Sequence, residues 1–227
     1  VRMANETSKT KKIWTDKEWN FLKGEGIDIG CGRDPVIPSA RRFDLEQGDA
    51  NHVTKYVSDK FDFVFSSHCL EHMHDPAKTI HDWFQLVKPG GVLFILVPDE
   101  DLYEQGHFPS RFNDDHKWTF TIHKRQSWSP KSINLLNLAK SLNGEIVSLE
   151  LQDQNYDYCL LNHQFGWWGF RMWRWFKKIS RVSRGSQFET SASRLYRRMG
   201  GAFDQTSLGG DRLAQIQLVV KKPTVMA

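Results

Sequence analysis

Hydrophobic positions change their spacing several times along the chain, and each change marks an element. Phe61–Ser67 (FDFVFSS) alternates and is rich in Phe and Val, which predicts a strand. Val92–Pro98 is a continuous apolar run, as in a strand covered on both faces. Between them Asp75-Pro76 opens a helix with apolar residues at Ile80, Trp83, Phe84 and Val87, and Pro89-Gly90-Gly91 stops it. Upstream, Trp14–Lys23 reads as a short helix starting near Thr15-Asp16. Gly26–Gly32 reads as a strand entering a Gly turn, Ala40–Glu46 as a second strand, and Val53–Val57 as a short third element. Phe61–Ser67 is then the fourth strand and Val92–Pro98 the fifth. Downstream, Ser129–Leu142 predicts a helix with Ser129 as N-cap and Pro130 in its first turn. Glu145–Leu151 and Ala214–Lys222 are strands. Residues 99–128 are polar and aromatic with no period, which predicts a long functional loop. Residues 1–12 read as a mobile basic arm. Strand–helix alternation predicts a mostly parallel α/β sheet with helices on both faces, and there is no internal repeat.

The organisation expected is an N-terminal arm and short helix at 1–23, then a single domain at 24–227. Length fits one domain: 227 residues, 39% of them hydrophobic, exclude a disordered chain. No apolar run reaches the ~20 residues of a membrane span, and the polar, basic opening is unlike a signal peptide. Three cysteines, Cys31, Cys69 and Cys159, show no CxxC spacing, so neither a disulfide framework nor a zinc knuckle is expected. That usage suits a reducing, cytoplasmic compartment. The net charge of +4 is unevenly placed: residues 163–198 carry nine basic residues against Glu189, so the remainder is acidic. This insertion before the last strand is helical in pattern. Over 168–184, Trp168, Met172, Trp173, Trp175, Phe176, Ile179 and Val182 fall on one side, and Arg171, Arg174, Lys177, Lys178, Arg181 and Arg184 on the other. That composition suits an anionic membrane interface. It suits somewhat better a helix packed on this domain or on a second copy in a homodimer, as most amphipathic helices are. A nucleic-acid role is disfavoured by the acidic remainder of the chain.

The turn IDIGCGRDP sets Asp28 on the first strand and Gly30 and Gly32 at the bend, where glycine allows positive φ and close ligand approach. Asp34 and Pro35 replace the helix opening that a dinucleotide pyrophosphate needs, and an acid there repels it. Asp28 and Asp34 instead suit a cationic ligand such as an amino-acid ammonium or a sulfonium. Asp44 ends the second strand, where an acid can bind ribose hydroxyls, and Asp49-Ala50 could reach an adenine amine.

IDIGCGRDP, FDLE, GDAN, FDFVFSSHCLEHMHDP and LVKPGGVLFILVPD, in this order, resemble the class I S-adenosylmethionine-dependent methyltransferases of the small-molecule and glycan type. The resemblance is close over roughly residues 24–100 and looser beyond. It implies a Rossmann-like doubly wound sheet of about seven strands with the last antiparallel. It also implies that Asp28, Gly30, Cys31, Gly32 and Asp34 hold the methionine part of the cofactor. Asp44 and Leu45 then hold the ribose, Asp49 and Ala50 the adenine, and Ser66, Ser67 and His68 line the fourth strand's end. The stretch from Gly32 to Asp44 is too short for the usual helix between strands one and two.

Methyl transfer to a hydroxyl requires alignment, exclusion of water and a base. His68, directly after the fourth strand, and His116 are the candidate catalytic residues. In the loop, Asp99, Asp101, Tyr103, His107, Arg111 and Trp118 suit a polyhydroxylated acceptor, a sugar or glycan of the kind used in polysaccharide biosynthesis. His68, His72 and His74 with Glu71 and Asp75 nearby offer metal-ligand types. However, HExxH is absent and methyl transfer needs no metal, so none is expected. A rival acceptor is RNA or another small molecule, although SSHC at the fourth strand's end is unlike the NPPY of amine methylation. A further rival is a cofactor-binding subunit without turnover.

Overall fold

The computed structural model describes residues 6–161, 204–208 and 211–224. Its main sheet is built from β1 (Gly26–Ile29), β2 (Arg41–Phe43), β3 (Phe61–Ser67) and β4 (Val87–Pro98), all parallel. Two short strands, β5 (Thr119–Thr121) and β6 (Ser132–Asn134), pair parallel in a separate sheet. The main sheet continues with β7 (Glu145–Gln152) and β8 (Gln215–Lys221), in the order β2-β1-β3-β4-β8-β7. The last strand, β8, runs antiparallel to both β4 and β7.

Side chains alternate between two apolar layers, as a sheet covered on both faces requires. Of the helices, α1 spans Glu6–Thr10 and α2 Asp16–Phe21. On one face of the sheet Val64, Leu93, Ile95, Leu218 and Val220 pack against Ile80, Trp83 and Phe84 of α3 (Pro76–Gln85) and Leu135 and Leu138 of α4 (Leu135–Lys140). On the other, Phe63, Phe65, Phe94 and Leu96 pack against Trp14, Leu22 and Val36. Trp14 lies 5.3 Å from Phe94 between ring centroids. It directly precedes α2, which Thr15 and Glu18 close with a reciprocal capping box.

The expected elements hold with four corrections. Val53–Val57 is not a strand. Ala50–Lys55 forms a 3-10 turn capped by Asp49, which leaves it unpaired with any strand while Val53 and Val57 are still buried in the core. The main sheet therefore has six described strands where about seven were expected. Ser129 and Pro130 do not open a helix: Ser132–Asn134 is drawn into β6 by pairing with β5, and α4 starts only after Asn134, whose side chain accepts from Asn137 N at 3.0 Å. The basic arm is not free throughout either. The α1 segment is tied down by Asp34, which accepts from Ser8 N at 2.7 Å and from the Ser8 hydroxyl. The Pro-Gly-Gly stop is a looped-out stretch inside β4, between the pairings Phe61↔Val87 and Phe63↔Val92. Gly91 is required there, since a Cβ would stand 2.5 Å from the Asp62 carbonyl oxygen. The insertion at 163–198, and with it the amphipathic stretch 168–184, lies outside the described residues.

Candidate active site

The parallel register aligns four strand ends along one edge. Ile29 pairs with Phe43 and with Ser66, and Ser67 with Leu96, so Gly30, Asp44, His68 and Asp99 follow one another at the carboxyl side of the sheet. In open α/β sheets this edge is where ligands bind.

Asp28 is 1% exposed. Its Oδ2 accepts from Val36 N at 2.7 Å, which closes the turn, while Oδ1 has no partner. Burial, with a smaller push from Asp34, raises its pKa to about 7. Gly30 and Gly32 adopt φ of 76° and 52°. Gly30 also answers to packing, since a Cβ would stand 2.6 Å from the Cys69 sulfur. Asp44 binds the turn to β2: one carboxylate oxygen accepts from Gly32 N and the other from Leu45 N at 2.7 Å. Leu45 beside it is 88% exposed, an apolar side chain left open at the edge. Cys31 is buried and receives Arg42 Nε at 3.5 Å.

Several expected contacts have structural duties. Asp34 anchors Ser8. Asp49 accepts from Asn51 N at 2.9 Å as a cap, and those Asn51 bonds lower its pKa. The Ala50 carbonyl accepts from Trp83 Nε1 at 3.0 Å. Ser66 is buried and its hydroxyl donates to Ile29 O at 2.8 Å, tying β3 to β1. The Ser67 hydroxyl has no partner.

His68 takes the left-handed conformation, φ 51°, which turns the chain sharply off β3. Its Nε2 lies 2.8 Å from Gln215 Oε1. The Gln215 amide nitrogen donates to Thr10 Oγ1 at 2.9 Å and Gln152 Oε1 at 2.6 Å. Gln215 Oε1 is therefore the acceptor, His68 Nε2 carries the hydrogen, and Nδ1 presents a lone pair. That Nδ1 lies 3.7 Å from Glu71 Oε1. His116 reaches the same pair from the far part of the 99–128 loop. The rings of His72 and His116 are 5.0 Å apart, and His116 Nδ1 lies 2.6 Å from Glu104 Oε1. Burial pulls the His116 pKa down, but the Glu104 bond and the Glu71 and Glu104 charges outweigh it and raise it.

The 99–128 loop is folded onto this edge. Lys117 N and Trp118 N donate to Glu71 O at 2.9 and 3.2 Å, and Lys117 Nζ to His72 O at 2.8 Å. Tyr103 stacks 5.2 Å from His116, its hydroxyl pKa pushed up by burial. Asp99 is a cap: its Oδ1 accepts from Asp101 N and Leu102 N, both at 3.0 Å, and burial raises its pKa to about 6. Asp101 receives Lys124 and Trp128, and Trp118 lies under Lys131, so these two stabilise the loop. Arg111 is buried, and His107 is half-buried with its pKa lowered by burial and by Arg111. Sequence reasoning missed Glu104, which lies inside an aromatic loop without period, and treated Glu71 and His72 as background. Their signal was a Glu-His pair one turn beyond a strand end. His74, by contrast, is exposed and outside the cluster.

A family model described as a methyltransferase domain matches residues 7–190. The chain belongs to this methyltransferase-domain family. Its cofactor is S-adenosylmethionine, and the site fits that group. An unpartnered carboxylate oxygen (Asp28), an unpartnered hydroxyl (Ser67) and the open Leu45 side chain lie at adjacent strand ends, and a cationic, adenine-bearing molecule would satisfy all three. Asp28, Asp44 and Leu45 are the residues that would hold it. The ubiquinone biosynthesis O-methyltransferase of Aromatoleum aromaticum is 34% identical over 74 residues, 30% of this chain and 32% of that enzyme. The match thus spans about a third of that relative's length. Among solved structures, an S-adenosylmethionine-dependent methyltransferase of Thermotoga maritima is 13% identical, with 96% of this chain and 88% of that chain covered and a TM-score of 0.46. Phosphoethanolamine N-methyltransferase 2 of Haemonchus contortus is 16% identical, with 98% and 53% covered and a TM-score of 0.47. Among the described residues no helix is long and apolar enough to cross a membrane.

Proposed function

We propose that this methyltransferase methylates a hydroxyl of a small-molecule or glycan acceptor, with His68 taking the proton. The observation that carries the reading is the His68 ring: its tautomer is set by Gln215, and its basic nitrogen faces a buried carboxylate at 3.7 Å. A hydroxyl needs a base as it attacks, and imidazole is matched to neutral pH. When bound, the cofactor supplies an electrophilic methyl group on a sulfonium. The chain's part is alignment, water exclusion and proton handling. His68 Nδ1 accepts the hydroxyl proton, and Glu71 stabilises the imidazolium that results. The folded 99–128 loop excludes water, and His107 and Arg111 are the loop side chains we assign to a polyhydroxylated acceptor. The O-methyltransferase name of the Aromatoleum relative supports an oxygen acceptor. The composition of residues 168–184 supports a membrane-proximal acceptor, met through an anionic surface.

Release of S-adenosylhomocysteine with panels of hydroxyl and amine acceptors tests the reading. Turnover is expected only with hydroxyls. His68→Ala is expected to lower kcat by roughly 10²–10⁴-fold while leaving cofactor affinity in place. Turnover restricted to amines, or an unchanged kcat in His68→Ala, would overturn it.

A further inference from the structure

Glu71 is more than a counter-charge for His68. It is fully buried, and neither carboxylate oxygen has a hydrogen-bond partner. Such a charge is costly unless something compensates it. Three imidazoles surround Oε1, yet none donates to it: His68 Nδ1 lies at 3.7 Å, His72 Nε2 at 3.8 Å and His116 Nε2 at 3.8 Å. The far nitrogens explain why. His72 Nδ1 meets the Asp115 carbonyl at 3.1 Å, His116 Nδ1 meets Glu104 at 2.6 Å, and His68 Nε2 meets Gln215 Oε1 at 2.8 Å. All three partners are acceptors, so in the neutral rings the far nitrogens hold the hydrogens and the near ones present lone pairs. With all three rings neutral, a carboxylate facing lone pairs across gaps too wide for hydrogen bonds is what a cation resolves: a proton, which Glu104 and Glu71 favour on His116, or a metal ion that displaces it.

We propose that Glu71, His72 and His116 bind a divalent transition-metal ion. Their ligand atoms lie within 4.8 Å of one another, the one such group among the described residues. Ligands ~2.1 Å from a tetrahedral ion stand ~3.4 Å apart, so the two 3.8 Å gaps to Glu71 close with a few tenths of an ångström of side-chain movement, and the His72–His116 gap, at most 4.8 Å, with up to about 1.4 Å. Two imidazoles and one carboxylate suit zinc, manganese or ferrous iron better than calcium or magnesium, which prefer oxygen. The second requirement of such sites is met as well: each ligating ring donates its other N–H to a carbonyl or carboxylate. The His72 side chain is 23% exposed and gives a way in. Three protein ligands leave a position for an oxygen of the acceptor. That last role rests on the hydroxyl reading above, and metal binding itself does not.

The test is calorimetric titration of the chelator-stripped full chain with Zn²⁺ and with Mn²⁺, plus Mn²⁺ electron paramagnetic resonance for imidazole nitrogen coupling. Expected is one ion per chain. Glu71→Gln and His116→Ala should each weaken binding by at least about tenfold, with His74→Ala unchanged. His72→Asn, on a half-exposed side chain, should do the same and covers the case in which a buried variant fails to fold. Absent binding, or binding indifferent to His72→Asn, would overturn the site. Neither readout requires turnover, so failure here is distinct from failure of the hydroxyl reading.

Discussion

Asp28→Asn separates what the cofactor edge gives to stability from what it gives to binding. The side chain is 1% exposed, and burial lifts its pKa from the ordinary 3.8 to about 7. The folded state therefore holds this proton more tightly than the unfolded chain. Below pH 4 both states are protonated and the burial penalty is absent. As pH rises toward 7 the unfolded chain ionises freely and stability falls, and above 7 the full penalty stays. At about 1.4 kcal/mol per pH unit, the gap between 3.8 and about 7 amounts to ~4 kcal/mol as an upper bound. The amide of the variant can keep the Val36 bond through its carbonyl oxygen without the charge. The variant should match the parent near pH 4 and exceed it by up to ~4 kcal/mol at pH 8, as read by urea unfolding at both pH values. Cofactor binding should move the other way. A cation prefers ionised Asp28, so the parent's affinity should rise about fivefold from pH 6 to 7 as the carboxylate ionises, and the variant's should be weak and flat. If the stability difference does not grow with pH, the burial argument is wrong. If the variant binds S-adenosylmethionine as well as the parent, Asp28 is not part of its site.

Gly30→Ala forces a Cβ to 2.6 Å from the Cys69 sulfur at φ 76° and should cost ~2–4 kcal/mol from overpacking and left-handed strain. A double-mutant cycle with Cys69→Gly should recover part of it. Ser66→Ala leaves the Ile29 carbonyl short of its buried donor and should cost ~1–3 kcal/mol in denaturant melts. Gln215→Leu removes the acceptor that fixes the His68 tautomer, so kcat should fall and its pH profile shift while the KM for the cofactor holds. Replacing Trp173 and Trp175 by Ser should reduce co-sedimentation with anionic vesicles; full retention would refute the membrane role of 168–184.

The strands were legible because each signal was local. Phe61–Ser67 alternates onto two apolar layers, and Val92–Pro98 is apolar throughout because both its faces are covered. Asp28, the glycines and Asp44 could be placed at strand ends for the same reason, a turn signal next to a strand. What the sequence hid depends on long-range contact. Ser132–Asn134 is pulled from helix to strand by a partner at Thr119–Thr121. Asp34 is engaged by Ser8, far upstream. The pairing of His116 with His72, Glu71 and Glu104 exists only because the 99–128 loop folds back onto the end of β3, and no spacing in the chain encodes that return.

The central claim is methyl transfer to oxygen at this edge. Its most direct measurement is turnover with ¹³C-methyl-labelled S-adenosylmethionine and a hydroxyl acceptor panel, with the product carbon read by nuclear magnetic resonance. An O–CH₃ product formed by the parent and lost in His68→Ala is the predicted result. A product labelled only on nitrogen or carbon, or none with any acceptor while the cofactor still binds, would contradict it.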